Sequence, residues 1–204
     1  MPFPKLTVRT FASIRELNGI SQRTMEEHYE LYKGYVGKTN EIQEKLMGVD
    51  RASANQIFSD LRSLRVDLSF ATGGVKNHET YFGHLGGKGG APTGKVAELI
   101  ARDFPSVDAF LTDFKASGLA ARGWVWLAYD HDWNTLTTVL GDAQNTFPLW
   151  NATPVLALDV YEHAYWLDYG RLRAKYIEAF FNNLDWAAVN ANLERALAMQ
   201  AVAK

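Results

Sequence analysis

With 204 residues, 21 basic and 23 acidic side chains and a formal charge of -2, the chain can build one large domain or two small ones and has no bulk field to draw nucleic acid or an anionic membrane. It contains no cysteine, which excludes disulfides, thiolate nucleophiles, zinc knuckles and thiolate-bound iron–sulfur clusters, so any metal must be held by nitrogen and oxygen. The first ten residues lack an apolar leader core and no stretch reaches about 18 apolar residues, so a cytoplasmic protein with no membrane span is expected.

From Ser21 to Leu46, the residues Met25, His28, Tyr32, Tyr35, Thr39, Ile42 and Leu46 recur at alternating spacings of three and four. That is the seam of a helix packed on another helix. Ser21 or Thr24 reads as the N-cap, with Thr24 and Glu27 as a capping box, and Gly48-Val49-Asp50 as the stop. Leu61, Leu64, Leu68, Ala71, Val75, His78, Phe82 and Leu85 repeat the pattern, and the short connection predicts an antiparallel hairpin. His28 lies about 20 residues before the turn and His78 a little over 20 after it, roughly 30–40 Å from the turn at 1.5 Å per residue. Both sit on the seam, so both point inward at the same open end.

The segment Gly83 to Gly94 cannot stay helical and reads as a connection between residues 1–90, a helical hairpin domain, and residues 91–204. Lys95 to Arg102 and Ser106 to Ala116 read as short amphipathic helices. Gly123 to Tyr129 is a strand by its aromatic and β-branched content, Thr135 to Leu140 its return partner, and Val155 to Leu158 a third strand running into Asp159. From Arg171 onward the pattern is helical. The fold class expected is α+β: an N-terminal antiparallel helical hairpin, then an α/β domain with a small three-stranded antiparallel sheet flanked by helices.

The densest group of reactive side chains is Asp159-Val160-Tyr161-Glu162-His163-Ala164-Tyr165, placed where the third strand ends. An Asp/His pair four apart reads first as a buried hydrogen-bonded pair. The two hairpin histidines change that balance, because three imidazoles and one carboxylate make a nitrogen–oxygen site that suits iron or manganese and would also accept zinc or cobalt. His131, between two aspartates in a turn, and His84, off the seam beside glycines, are read as structural or incidental. No Gly-x-Ser-x-Gly elbow is present, and Gly86 to Gly94 lacks the Gly-Lys-Ser/Thr ending of a phosphate loop.

Asp159 to Tyr165, followed by Asp168-Tyr169, Arg173 and Tyr176, resembles the signature of the iron/manganese superoxide dismutases, whose usual form is Asp-x-Trp-Glu-His-Ala-Tyr. Gly123-Trp124-Val125-Trp126-Leu127 is similar to that family's Gly-Trp-x-Trp-Leu strand, Pro92 to Val96 to the segment opening its second domain, and Asn77-His78 and His28-Tyr29 to its helical Asn-His and His-Tyr. The resemblance implies one manganese or iron ion held by His28, His78, Asp159 and His163, with solvent as a fifth ligand, and disproportionation of superoxide. It places an outer-sphere glutamine at Gln144, since the alternative helix position is Gly74, an arrangement that leans to manganese. It makes Tyr35 the gateway tyrosine. It also sends Glu162 to a partner subunit's metal-binding histidine, puts Tyr165 at the interface of a homodimer or dimer of dimers, and gives Arg173 a part in guiding the anion.

The sequence departs from the family pattern in four ways. The His28–Tyr35 spacing is one residue shorter, Tyr32 or Leu31 stands near the place of a usual histidine, Tyr161 replaces a tryptophan, and Arg122 stands where a small residue is common. The competing reading is a catalytically silent metal-binding or structural subunit of this fold, against which the intact ligand set argues.

Overall fold

The computed structural model describes residues 4–146 and 149–202. Two long helices open the chain, α1 (Gln22–Gly48) and α2 (Asp60–Gly83), packed against each other. Ser21 caps α1 by accepting the Thr24 N–H. Thr24 therefore lies inside the first turn, fully buried, and no capping box forms on it. Ser59 caps α2 by accepting the Arg62 N–H, with Asp60 in the first turn where the helix dipole favours an anion.

The buried stripe of α1 runs Met25, His28, Tyr32, Val36, Thr39, Ile42 and Leu46. Val36 takes the inward place expected of Tyr35, which sits at the stripe's edge. Leu61, Leu64 and Leu68 are only half-buried, around a small separate cluster of Ile42, Leu46 and Ala71. The cause is geometric: among the described residues, no third layer covers this far end of the hairpin.

The glycine connection bends where expected and is held against later parts of the chain. Gly89 has φ +62°, and a Cβ there would stand 2.6 Å from Phe181 O, so both backbone conformation and space require glycine. Then follow α3 (Gly94–Asp103) and α4 (Val107–Ala120), and a sheet of β1 (Trp124–Asp130), β2 (Thr135–Gly141) and β3 (Ala152–Asp159). The sheet is antiparallel in the order β2-β1-β3, so β1 is central, and all seven of its residues are buried. The short α5 (Trp166–Tyr169), α6 (Arg173–Asn182) and α7 (Trp186–Val202) complete the chain.

The expected C-terminal helix is thus broken at 183–185. There the Asp185 carboxylate accepts the Ala187 N–H at 3.0 Å and starts a new helix, while Asn183 ties back to Asn18. One aromatic-rich core runs through hairpin and sheet, with α2 and α7 against β3 and α3 against β2. No helix among the described residues is long and apolar enough to cross a membrane.

Candidate metal centre

Four side chains from three remote parts of the chain meet where the hairpin lies on the sheet: His28 of α1, His78 of α2, Asp159 at the last position of β3, and His163 in the 3-10 turn Glu162–Ala164. One ligand atom from each falls within 4.8 Å of all the others. The Nε2 atoms of His28, His163 and His78 stand 3.1, 3.2 and 3.6 Å from the same oxygen, Asp159 Oδ2. His28, His78 and Asp159 are fully buried.

Local bonding explains why that oxygen faces the histidines. The Val160 N–H donates to Gly123 O at 2.8 Å and keeps the chain on the sheet one residue past the strand. The Tyr161 N–H then donates to Asp159 Oδ1 at 2.9 Å, which turns the chain and occupies the other carboxylate oxygen. From behind, the buried Tyr176 hydroxyl donates to the Asp159 carbonyl at 2.7 Å and contacts Tyr81 Oη at 3.1 Å.

The charge states point to a cation. His78 Nδ1 lies 2.6 Å from Gly74 O, which can only accept, so the ring proton is on Nδ1. Burial pushes its pKa down to about 3, leaving a neutral ring. Its Nε2 is therefore a bare lone pair, buried and without a hydrogen-bond partner, aimed at a carboxylate. Two acceptors facing each other in a dry interior repel unless a positive ion lies between them. Burial would push the Asp159 carboxyl up, but His163 and His28 outweigh it and hold the group well below the usual carboxylate range. A set of three imidazole nitrogens and one carboxylate oxygen, with no thiolate, fits iron or manganese.

Gln144, in the turn after β2, packs against this group. Its Oε1 accepts from Trp124 Nε1 at 3.0 Å and from Asn77 Nδ2 at 3.2 Å, so its amide nitrogen is free to donate to Tyr35 Oη at 3.2 Å. The shortened spacing does not take Tyr35 out of line with His28: seven residues make almost two full helical turns. Tyr35 also stacks near His78, with ring centroids 5.3 Å apart. Burial raises the Tyr35 pKa, so the phenol keeps its proton through neutral pH.

Gly74 makes room for that ring, since a Cβ there would stand 2.7 Å from Tyr35 Cδ1. The same crowding leaves no space for a glutamine side chain at 74. Gly74→Ala is expected to displace Tyr35 from Gln144 and to cost about 1–3 kcal/mol, the usual range for overpacking, measurable by urea unfolding.

The remaining predicted positions fall as follows. Tyr161 stacks on His163 at 5.4 Å, and burial pushes its phenol up to about 12. Glu162 is 63% exposed and His163 25% exposed, side by side. Tyr165 is buried within its own chain and stacked on Tyr176 at 5.2 Å. Arg173 donates to Ala121 O at 2.7 Å and to Tyr165 Oη at 3.1 Å, with Glu162 3.9 Å away.

Tyr32 is engaged by Glu79 of α2 and by the chain before α1. Its hydroxyl donates to Glu79 at 2.9 Å and accepts the Arg9 N–H at 3.0 Å, while Leu31 is exposed. Arg122 projects into solvent near Asp142. His84 is fully buried, and His131 contacts Thr153 Oγ1 at 2.8 Å. Sequence reasoning missed the Trp124 and Asn77 donors to Gln144 and the Tyr81–Tyr176 pair behind Asp159. The signal available was polar aromatics at positions that had to be buried, since a buried indole or phenol needs a partner.

The chain is 42% identical over 199 residues to an iron superoxide dismutase of Aquifex pyrophilus, covering 95% of this chain and 93% of the relative. It is 43% identical over 189 residues to one of Aquifex aeolicus, covering 90% and 88%. The chain belongs to the iron/manganese superoxide dismutase family. A manganese superoxide dismutase of Haloferax volcanii is 35% identical over 180 residues, covering 87% and 89%. The family model described as "Iron/manganese superoxide dismutases, C-terminal domain" matches residues 92–192, which include the whole sheet, Asp159, His163 and Arg173. The superoxide dismutase family thus accounts for the α+β architecture, in which the hairpin brings His28 and His78 to the sheet.

Proposed function

We propose that the chain is a superoxide dismutase with one iron or manganese ion per subunit, held by His28, His78, Asp159 and His163. The observation that carries this reading is the convergence of three imidazole Nε2 atoms on one buried carboxylate oxygen, in a chain whose relatives are named superoxide dismutases. What such an ion supplies is one-electron redox, a trivalent/divalent couple through which two superoxide anions and two protons become dioxygen and hydrogen peroxide.

The chain's own groups do the rest. Asp159 adds anionic charge that favours the trivalent state. Gln144, its oxygen fixed by Trp124 and Asn77, donates N–H to Tyr35, and would hold the hydrogen-bond path along which protons arrive. Tyr35 keeps its phenolic proton and positions that path at the mouth. Arg173, fixed beside Glu162, adds positive charge near the site of an anionic substrate. Placing Gln144 beside β2 rather than on α2 leans to manganese, while relatives named for either metal match the chain.

A homodimer, or a dimer of dimers, belongs to the same reading, as do a domain division near residue 90 and a cytoplasmic antioxidant role. The support for dimerisation is an apolar surface of Trp166, Leu167 and Leu172, each more than half exposed, beside exposed Glu162. In a dimer Glu162 would reach the partner subunit's metal-binding histidine.

The test is to strip the protein, reload it separately with manganese and iron, and follow superoxide decay and sedimentation of each form. Fast decay with one metal assigns the cofactor, and fast decay with both makes the enzyme dual-metal. Decay no faster than a His163→Ala control at verified stoichiometric metal would overturn the activity and leave a silent metal-binding subunit.

A further inference from the structure

His84 lies outside the metal centre, six residues beyond His78, and is fully buried at the end of α2. Its Nε2 accepts the Ala157 N–H at 3.0 Å. A backbone N–H can only donate, so Nε2 carries no proton and the ring is the neutral tautomer protonated on Nδ1, which is buried without a partner. Among the described residues β3 is an edge strand, paired to β1 on one side only. His84 therefore takes up an edge N–H that another strand would otherwise satisfy, and does so across the seam between hairpin and sheet.

We propose that His84 is an acid-sensitive clasp: a neutral imidazole that ties the end of the helical hairpin to the edge of β3 and lets go when it is protonated. A proton on Nε2 would point at the Ala157 N–H, two donors head to head, so the imidazolium cannot stay in this place.

The surroundings offer an imidazolium little. From α2 comes Tyr81, edge-on at 6.3 Å, whose own phenol is held neutral by burial. From α6 comes Phe180 at 5.8 Å, and from β3 the apolar Ala157. The turn before α7 brings Asp185, whose carboxylate favours protonation and whose N–H donates to the His84 carbonyl at 2.8 Å. Burial outweighs the backbone groups of His84 and Ala157 and the charge of Asp185, and pushes the imidazole down to about 4 from the ordinary 6.5. A lowered folded value means stability that is complete above 6.5 and lost as pH falls toward 4, about tenfold in the unfolding equilibrium per pH unit. Opening the seam would carry off Asp159, two residues along β3 from Ala157.

The test is urea unfolding of the metal-loaded parent and of His84→Gln, from about pH 7.5 to about pH 4.5. A glutamine can present an oxygen to Ala157 but cannot be protonated, and the other histidines are common to both proteins. The ratio of parent to variant unfolding constants is expected to rise by roughly 40-fold between about pH 6.5 and about pH 4.5. A ratio that stays flat overturns the clasp.

A second measurement needs no variant. In the parent, the His84 ring protons should show a neutral imidazole down to about pH 4, with the Ala157 amide protected from hydrogen exchange until the ring titrates. Titration near the ordinary 6.5 with that amide still protected would equally overturn it.

Discussion

Asp159→Ala should leave a chain that folds its sheet but no longer holds its metal. The substitution removes the one anion of the site and the one oxygen on which three imidazoles converge at 3.1–3.6 Å. Loss of a group one shell out from a metal typically costs ~10–100-fold in affinity or activity, and loss of a ligand itself should exceed that. Metal content per chain after dialysis, with superoxide decay beside it, checks the result. Parental occupancy and rate would remove Asp159 from the ligand set.

The same variant alters the acid behaviour of the metal-free chain. The lowered pKa of Asp159 contributes stability that is present above the ordinary carboxylate range and lost as pH falls through the lowered value. Burial works against the charged form of His163, but Asp159 raises its pKa. That contribution is complete below 6.5 and lost as pH rises through the raised value. His28, lowered chiefly by burial, works the opposite way and destabilises the chain as pH falls below 6.5. Without Asp159 the first two contributions vanish together and only the histidine penalty in acid remains.

The second large effect is expected at Trp124. Its ring is fully buried, edge-on to His78 at 5.3 Å, and its N–H is one of two donors that fix the Gln144 oxygen. Trp124→Ala removes that packing and leaves a cavity, for which about 3–5 kcal/mol is usual. Urea unfolding at fixed metal loading measures it. Trp124→Phe separates the parts, since it keeps most of the ring and loses only the hydrogen bond, a cost of about 1–3 kcal/mol for an oxygen stripped of a buried donor. Equal losses in the two variants would mean that the Gln144 bond, not the packing, dominates at this position.

The hairpin histidines were the most legible part of the site. Their equal heights and common seam positions place them together without any family resemblance, because helix rise and periodicity are fixed by backbone geometry. Asp159 and His163 were legible as a pair at a strand end. That they join the hairpin depends on docking between layers, which no local pattern encodes. Tyr35 shows the limit of periodicity: the heptad put it in the seam, whereas Val36 faces the core and Tyr35 stands at the edge, where it can reach Gln144. Charge and a place in the family signature single out Arg173, but its hydrogen bonds to Ala121 and Tyr165 depend on packing that composition does not reveal. Helical periodicity excludes His84 as lying off the seam, a criterion that fails once the helix has ended and the backbone turns.

The distance along the chain between His28 and Asp159, 131 residues, bears on how the protein matures. Contacts so remote form late, because the entropy of closing a long loop must be overcome before they stabilise anything. The hairpin is local and can form early, yet it presents two histidines to nothing until β3 is in place. A metal site made of these four residues is complete only once those remote contacts have formed. An ion bound there would add its binding free energy to the folded state alone. Any ion the site takes up is therefore one met after the two halves have come together.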